Sequence, residues 1–413
     1  MLFPYRLTAG ESAHYHDHRL GAALPGELRR PKPSVHMKAL ADLRVIELSE
    51  AAAAAIAGRL CADAGAEVVL VEPPEGHPLR SEGPFRGQTE NPESSAAHLH
   101  ANAGKRSVTL ELETQAELLR ALLLVADIFI TDASADVLDP LGLSWSALHA
   151  QHRSLVMTRV TPFGDTGPYR RYAATNLVCL ALGGQLKITG DPSRPPLSNF
   201  GSQAEYQAGL SAFAGTVANL LLRDGSGEGE YLDLSIQDVV ATNLEHRSPA
   251  LNLGLVANRA GLSVSATYGV YPCADGWVYV TAFAPALWER LKKIAPLSEL
   301  DEERFSTQEG RLEHNDELQA ILTGWTLSKT SEEMRELALR GDPVTVAETP
   351  ASLLDSDQWR GRQVAHQIDH SVAGEISVLG RPWLDPDAEP PAPAPLLGEA
   401  NEELLAPLSE AGG

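Results

Sequence analysis

Short apolar runs alternate with helix-like patterns through the first part of the chain. The run LRVIEL, residues 43–48, predicts a strand, and SEAAAAAIAGRLCADAG, residues 49–65, predicts a helix that Ser49 can cap and Gly65 can end. The run AEVVLVEPP, residues 66–74, predicts a second strand that ends at two prolines. Strand, helix and strand at this spacing indicate a right-handed βαβ unit of a parallel sheet.

The same alternation continues further along the chain. Strands are predicted for SVTLEL (107–112), DIFITD (127–132) and SLVMTRVTPF (154–163), with helical patterns between them. This order is typical of an α/β fold with a doubly wound, Rossmann-like large domain. No G-x-G-x-x-G follows the first strand, so the dinucleotide-binding fingerprint is not present there.

The most informative segment is residues 201–236, an apolar helix pattern rich in small residues, followed by a Gly-punctuated turn and a strand. Glu205 lies near its start, and no other charge occurs up to Arg223. A charge beside a packing helix usually has a partner or a chemical role. Glu205 is therefore a candidate nucleophile, and the alternative is a solvated or helix-capping carboxylate near a helix N-terminus.

The C-terminal half predicts a smaller α+β domain. A β-hairpin is expected in residues 264–283, turning at Ala274-Asp275-Gly276, and helices are expected in 285–345, with a capping box of Thr330 and Glu333. The predicted division is an N-terminal extension (1–37), the first part of the large domain (38–200), a connecting helix and strand (201–235), the small domain (236–335), and a return to the large domain with a Pro-rich tail (336–413).

Composition narrows the choice of partners. The net charge of −22 over 413 residues argues against nucleic acid and anionic membranes, and no apolar run is long enough to span a bilayer. Three cysteines without CxxC spacing, and an N-terminus without a secretory pattern, predict a cytoplasmic protein. His14, His16 and His18 favour a solvated surface over a metal site, so no metal is expected.

Several sequence blocks occur in a characteristic order. They are DLRVIELSEAAAAAIAGRLCADAGAEVVLVEPPEG, ANAGKRSVTLEL, VLDPLGLSW, FGDTGPY, GEGEYLDLS, YGVYPCADGWVYV and APLLGEANEELL. Together these blocks resemble the class III CoA-transferases, the family of formyl-CoA transferase and carnitine CoA-transferase, with α-methylacyl-CoA racemase as a relative. The resemblance runs from about residue 41 to residue 405. It implies a two-domain α/β subunit, two subunits interlocked like chain links, and active sites at their interface.

The resemblance implies a ping-pong transfer in which an enzyme carboxylate forms first a mixed anhydride and then a thioester with CoA. Acyl-CoA and a carboxylic acid are then substrates, and no cofactor is bound permanently. In the family the nucleophile is an Asp in an Asp-x-x-x-Gly element, and here Glu205 of EYQAG stands at that position. Glutamate is competent for the same steps but is longer by one methylene.

The resemblance also implies ligand contacts. Lys105, Arg106, Pro73, Leu110 and Leu141 stand at CoA-binding positions. The His-Asp pair of the racemases is replaced here by Thr175-Asn176, which disfavours a racemase and leaves Asn176 an accessory role.

Other family positions differ in the CoA region. Pro140 replaces an arginine, Glu113 replaces a lysine, and Thr131-Asp132-Ala133 replaces a Glu-Asn-Phe loop. Each lost charge-assisted hydrogen bond is worth roughly 1.5–3 kcal/mol. Candidate substitutes are Arg80, Arg159, Arg170, Arg171 and Lys187.

Three functions therefore stay open. The chain is an active transferase that uses Glu205, or a non-catalytic partner subunit of a heteromeric transferase, or a family member that no longer binds CoA in the usual way. The assembly is a homodimer or a heteromer with a related subunit. Fold alone does not choose among these functions.

Overall fold

A computed structural model describes residues 39–191, 193–244, 267–381, 383 and 389–411. The predicted N-terminal extension, with His14, His16 and His18, lies outside these residues. Six parallel strands form the central sheet in the order β3-β2-β1-β4-β5-β6. The strands are β1 Arg44–Leu48, β2 Glu67–Glu72, β3 Arg106–Thr109, β4 Ile128–Thr131, β5 Val156–Thr161 and β6 Tyr231–Ser235.

Helices cover both faces of this sheet, which confirms the predicted doubly wound α/β fold. They are α1 Ala52–Asp63, α2 Ala96–Ala101, α3 Leu112–Leu123, α4 Ala135–Leu138, α5 Trp145–Gln151, α6 Asn176–Leu182, α7 Gln203–Ser226 and α8 Ile236–Thr242. Because side chains alternate along a strand, neighbours such as Val45 and Ile46 belong to different hydrophobic cores. One core contains residues of α1, α6, α7 and α8, and the other contains residues of α3 and α5.

The strand order reverses direction between β1 and β4. The chain moves outward through β2 and β3 on one side and through β5 and β6 on the other. The predicted strand at 107–112 ends at Thr109, and α3 begins at Leu112, so the sequence pattern placed the boundary too late. The predicted cap at Ser49 is also wrong, because α1 begins after the N-cap residue Ala51 and Ser49 Oγ donates to Glu47 instead.

Helices α1 and α7 pack closely against each other because both carry small residues where they meet. A Cβ atom on Gly209 would lie 2.7 Å from the carbonyl oxygen of Ala53 and 2.8 Å from Cβ of Ile56. Only glycine fits this contact, since real Cβ atoms do not approach other atoms so closely. Helix α7 ends at its C-cap residue Gly227, which adopts a left-handed conformation with a φ of 76°.

A second, antiparallel sheet supports a separate hydrophobic core. It contains β7 Tyr268–Pro272, β8 Trp277–Thr281 and β9 Val344–Val346, and the predicted hairpin joins β7 to β8. The predicted capping box of Thr330 and Glu333 is present. The helices of this region are α9 Pro285–Ile294, α10 Gln308–Glu313, α11 Asn315–Leu327 and α12 Ser331–Leu339.

The remaining described segments are short, and the position of the domain boundaries stays a prediction. They are α13 Pro350–Leu354, α14 Asp357–Arg362, the hairpin of β10 Ala365–His370 and β11 Gly374–Leu379, α15 Asn401–Leu404 and α16 Ala406–Ala411. Short 3₁₀ turns occupy Pro78–Ser81, Arg86–Gln88, Leu186–Ile188, Ser298–Asp301 and Glu303–Phe305. Over the residues described, none of the helices has the length and apolar character needed to cross a membrane.

Candidate active site

A cavity of about 710 Å³ opens at the carboxyl ends of the strands where the strand order reverses. Its walls come from the segments that follow β1, β4 and β5, and Glu205 in the first turn of α7 lines it. Open α/β sheets bind ligands in this crevice, because the connections on its two sides lead away to opposite faces of the sheet. This cavity is therefore the candidate active site.

Glu205 is half-buried and is held at the N-terminal end of α1. The backbone N–H of Ala52, the first residue of that helix, lies beside the Glu205 carboxylate. Burial raises the pKa of Glu205, the Ala52 N–H lowers it and the charge of Glu82 raises it, with a raised pKa as the result. A poorly solvated carboxylate at the positive end of a helix dipole is suited to nucleophilic attack.

The neighbouring N–H groups at the same helix end are bound by a second acid. Asp132 follows β4 and accepts hydrogen bonds from the backbone N–H of Glu50 at 3.0 Å and of Ala51 at 2.7 Å. Ala51 is the N-cap residue of α1 and offers no side-chain cap. Burial raises the pKa of Asp132 to about 7. Thus two carboxylates lie at the same end of α1 beside the cavity.

Asn176 fixes the start of α7 from the first residue of α6. Its Oδ1 accepts a hydrogen bond from the backbone N–H of Ala204 at 2.8 Å, and its Nδ2 donates to the carbonyl oxygen of Gly201 at 3.2 Å. Ser202, the N-cap residue of α7, makes no side-chain cap. Asn176 therefore acts on Glu205 through the backbone that carries it.

Ser49 also lines the cavity, but its hydrogen bonds exclude it as the nucleophile. Ser49 Oγ lies 3.2 Å from His77 Nε2, but Leu79 N–H donates to His77 Nδ1, so in the neutral ring the proton sits on Nε2. Burial lowers the pKa of His77 to about 3. Ser49 in turn donates to Glu47, so His77 cannot accept the serine proton.

Lys105 is buried in an ion pair beneath the cavity. Its ammonium lies 2.7 Å from Oε2 of Glu47 and donates to the carbonyl oxygen of Ala55 and to Oδ1 of Asn102, each at 2.8 Å. Burial raises the pKa of Glu47 and lowers that of Lys105, while their attraction opposes both shifts. All three ammonium hydrogens have partners, so none is left for a phosphate in this arrangement.

The other predicted CoA contacts lie outside the cavity wall. Arg106 pairs with Glu67 at 3.0 Å and with Glu403 at 2.5 Å. Pro73 follows β2 and is half-buried, and Leu110 follows β3 in the core. Leu141 is half-buried, and its carbonyl oxygen accepts a hydrogen bond from Arg120. Their contact with CoA stays a prediction.

Three of the candidate substitute cations do line the cavity, namely Arg159, Arg170 and Arg171. Arg159 pairs with Asp165 at the end of β5, and Arg171 pairs with Asp136 at 3.3 Å in an exposed position. Arg80 is instead buried against Glu72. Exposed arginines at the cavity mouth are available to carboxylate or phosphate groups.

Sequence reasoning recognised Asp132 only as a replaced loop residue and missed its contact with α1. The signal that could have found it is an acid directly after a strand next to a helix whose N-cap is an alanine. Within the described ranges, no group of three or more His, Cys, Asp or Glu side chains is placed to hold a metal ion.

Comparisons with known proteins agree with this architecture. A sequence model described as CoA-transferase family III matches residues 40–401. The succinyl-CoA–D-citramalate CoA-transferase of Chloroflexus aurantiacus is 32% identical over 92% of this chain and 95% of its own. The succinate–glutarate CoA-transferase of Agrobacterium fabrum is 32% identical over 70% of this chain and 74% of its own.

A solved structure shows the same fold. The crystal structure of a CaiB/BaiF family protein from Brucella suis superimposes with a TM-score of 0.79 at 28% identity, covering 89% of this chain and 98% of the other. The predicted family is confirmed, and the relatives cited here are named as transferases. The chain belongs to CoA-transferase family III.

Proposed function

We propose that this chain moves CoA from an acyl-CoA to a carboxylic acid with Glu205 as the nucleophile. The observation that carries the proposal is the half-buried Glu205 carboxylate in the switch-point cavity, at the N-terminal end of α1. A carboxylate suits this role because its acyl derivatives are reactive enough to pass CoA onward. Asn176 is proposed as the residue that fixes the backbone beside it.

The reaction proceeds through covalent steps on one carboxyl group. The ionised Glu205 attacks the thioester carbonyl, CoA leaves as a thiolate, and a mixed anhydride forms. The thiolate then attacks the Glu205 carbonyl, releases the first carboxylic acid as a carboxylate, and leaves a glutamyl-CoA thioester. The acceptor carboxylate then attacks the glutamyl-CoA thioester, releases the CoA thiolate and forms a second mixed anhydride. The thiolate attacks the acceptor's acyl carbon of this anhydride, which forms the product acyl-CoA and restores the Glu205 carboxylate. The Ala52 N–H lies beside the Glu205 carboxylate and is suited to stabilise negative charge there.

The proposed substrates are dicarboxylic acids and their CoA thioesters. The relatives from Chloroflexus and Agrobacterium carry succinyl-CoA, citramalate, succinate or glutarate in their names. A second carboxylate on the substrate needs a cation, and Arg170 and Arg171 lie at the cavity mouth. Arginine recognises carboxylates well because its planar fork can donate two parallel hydrogen bonds.

Trapping of the glutamyl thioester tests the proposal. Incubation with succinyl-CoA alone should release succinate, and reduction with borohydride followed by peptide mass spectrometry should find the modification on Glu205. The Glu205→Gln variant should lose the modification, and Glu205→Asp should keep it at a changed rate, since a displacement of about 1 Å can cost on the order of a hundredfold. The exposed Glu228→Gln serves as the matched control. A modification that persists in Glu205→Gln would refute the assignment.

A partner-subunit function is a second candidate, because the family aspartate is a glutamate here and some relatives are heteromeric. Two Chloroflexus relatives are named as the alpha and beta subunits of a succinyl-CoA–L-malate CoA-transferase. Leu177 and Leu182 on α6, with Leu210, Leu221 and Leu222 on α7, are exposed apolar residues that a second subunit would cover. Light scattering gives the assembly. Transfer activity that requires a co-expressed relative with Asp at this position would favour this candidate.

The cellular location is proposed to be the cytoplasm. The three cysteines are buried and form no disulfide bond with one another, namely Cys61, Cys179 and Cys273. Free thiols persist in a reducing compartment. Fractionation of the native host checks this placement.

A further inference from the structure

Asp132 and Glu205 reach the same end of α1 from different parts of the fold. Asp132 comes from the carboxyl end of β4, and Glu205 comes from the first turn of α7. Asp132 accepts hydrogen bonds from the N–H groups of Glu50 and Ala51, and the next N–H along the chain, that of Ala52, lies beside Glu205. Both acids therefore act on three successive residues of backbone.

The backbone at this point depends on Asp132 because it has little other support. The N-cap residue Ala51 makes no side-chain hydrogen bond, and the preceding Glu50 is exposed. Helix N-terminal N–H groups need acceptors, and a side chain that supplies one stabilises the first turn. Here the acceptor comes from an adjacent strand, so the position of the first turn is tied to the sheet.

We propose that Asp132 is a positioning residue, which holds the first turn of α1 so that the Ala52 N–H meets Glu205, and that loss of its charge loosens this contact. The proposal rests on the proposed nucleophilic role of Glu205 for its catalytic consequence. The geometric part concerns the free protein and can be measured without any substrate.

The charges around Asp132 favour its titration in the neutral range. Burial is the main cause of its raised pKa, and the carboxylates of Glu50 and Glu47 raise it further. The backbone hydrogen bonds from Ala51 and Glu50 oppose the shift. Because the pKa is raised to about 7, Asp132 is ionised above that pH and gains a proton below it.

Other charged groups line the same cavity, among them Asp139, Arg170 and Glu205. Asp136 on α4 and Arg171 form an exposed pair, and Arg159 is paired with Asp165 at the end of β5. These cations already have acidic partners, so the direct acceptor contacts of Asp132 are the two backbone N–H groups. Its charge state therefore acts first on the segment from Glu50 to Ala52.

Hydrogen exchange of the full-length protein tests the geometric part. Exchange rates of the Glu50–Ala52 amides, corrected for intrinsic rates, are followed by mass spectrometry with residue-resolving fragmentation between about pH 6 and 8. In the wild type, the protection of the Ala52 amide should fall as pH decreases through about 7. In Asp132→Asn the protection of the Ala52 amide should be several-fold lower at high pH and should show no step at about pH 7. A purely structural contact would not produce the pH dependence.

The rate of glutamyl-CoA thioester formation from succinyl-CoA tests the catalytic part in the same buffers. Asp132→Asn should slow it roughly tenfold at high pH, which corresponds to about 1.4 kcal/mol. Thr330→Ala, which removes the helix cap of α12 and does not line the cavity, controls for general destabilisation and should leave the rate unchanged.

The possible outcomes separate the two proposals. Unchanged Ala52 protection in Asp132→Asn overturns the positioning role, and so does lost protection with an unchanged thioester rate. If the wild type forms no thioester with succinyl-CoA while Ala52 protection still follows Asp132, then the proposed donor is wrong and the positioning of the helix end stands.

Discussion

Substitution of Gly209 by alanine should disable the site without touching a reacting group. Gly209 lies one helical turn after Glu205, on the face of α7 that packs against α1. A Cβ at this position would lie 2.7 Å from the Ala53 carbonyl oxygen and 2.8 Å from Cβ of Ile56. Ordinary van der Waals contact begins at 3.4 Å, so α1 and α7 must separate by about 0.7 Å, the difference between 3.4 and 2.7.

The expected cost follows from that displacement. Overpacking of a tight core contact destabilises a protein by about 1–3 kcal/mol, because neighbours cannot give way freely. The same separation moves Glu205 away from the Ala52 N–H, since the two groups lie on the two helices that are pushed apart. A misplacement of about 1 Å can reduce a rate about a hundredfold. We therefore expect thioester formation to fall between tenfold and a hundredfold on this scale.

The same helix offers a matched control. Gly225 lies near the end of α7, and a Cβ there would meet no atom within 4 Å. Gly225→Ala should leave the rate unchanged and stabilise the protein by about 0.4–1 kcal/mol. Thermal melting and borohydride trapping with succinyl-CoA are measured on both variants. A Gly209→Ala protein with wild-type melting temperature and trapping rate would refute the proposed coupling of α1–α7 packing to the site.

Further predictions concern the groups around the cavity. Lys105→Met should destabilise the protein by about 3–5 kcal/mol by leaving Glu47 buried without its partner, and the added Glu47→Gln substitution should recover part of this in a melting experiment. Asn176→Ala should cost about 1 kcal/mol and slow thioester formation, as trapping kinetics would show. Because the pKa of Glu205 is raised, its ionised fraction falls at a higher pH than that of an ordinary glutamate. In Asp132→Asn, where residue 132 no longer titrates, the trapping rate should therefore still decline on acidification. A constant rate down to about pH 5 would contradict this.

Much of the large domain could be predicted from the sequence because its signals are local. Apolar runs of five or six residues separated by helical patterns specify buried parallel strands, and the observed β1, β2 and β4 fall inside the predicted segments. The end of β3 was misplaced because LEL suits a strand as well as the first turn of a helix. In the small domain, β9 ends a segment expected to be helical, since its three residues give too short a pattern to recognise.

The sequence indicated the candidate site only at Glu205, where a single residue is distinctive without knowledge of its neighbours in space. Glu205 is conspicuous because it is a lone charge in an apolar run, whereas the contact of Lys105 with Glu47 joins residues 58 positions apart. A lysine before a strand is equally compatible with a phosphate contact and with a buried ion pair. Only the packing of α1 over the sheet decides between them, and no local pattern reports that packing.

Glu205, in place of the expected aspartate, and Asp132 both act at the N-terminal end of α1. Glu205 reaches farther than the aspartate expected at this position, so its carboxylate can contact the first N–H of α1 from the neighbouring helix. Asp132 occupies the two preceding N–H groups, so these two donors are not available to a CoA phosphate. The cavity mouth with Arg170 and Arg171 is where an anionic substrate meets unburied cations. The substrate is therefore expected to enter from that mouth, with the thioester directed toward Glu205 and its charged groups toward the arginines.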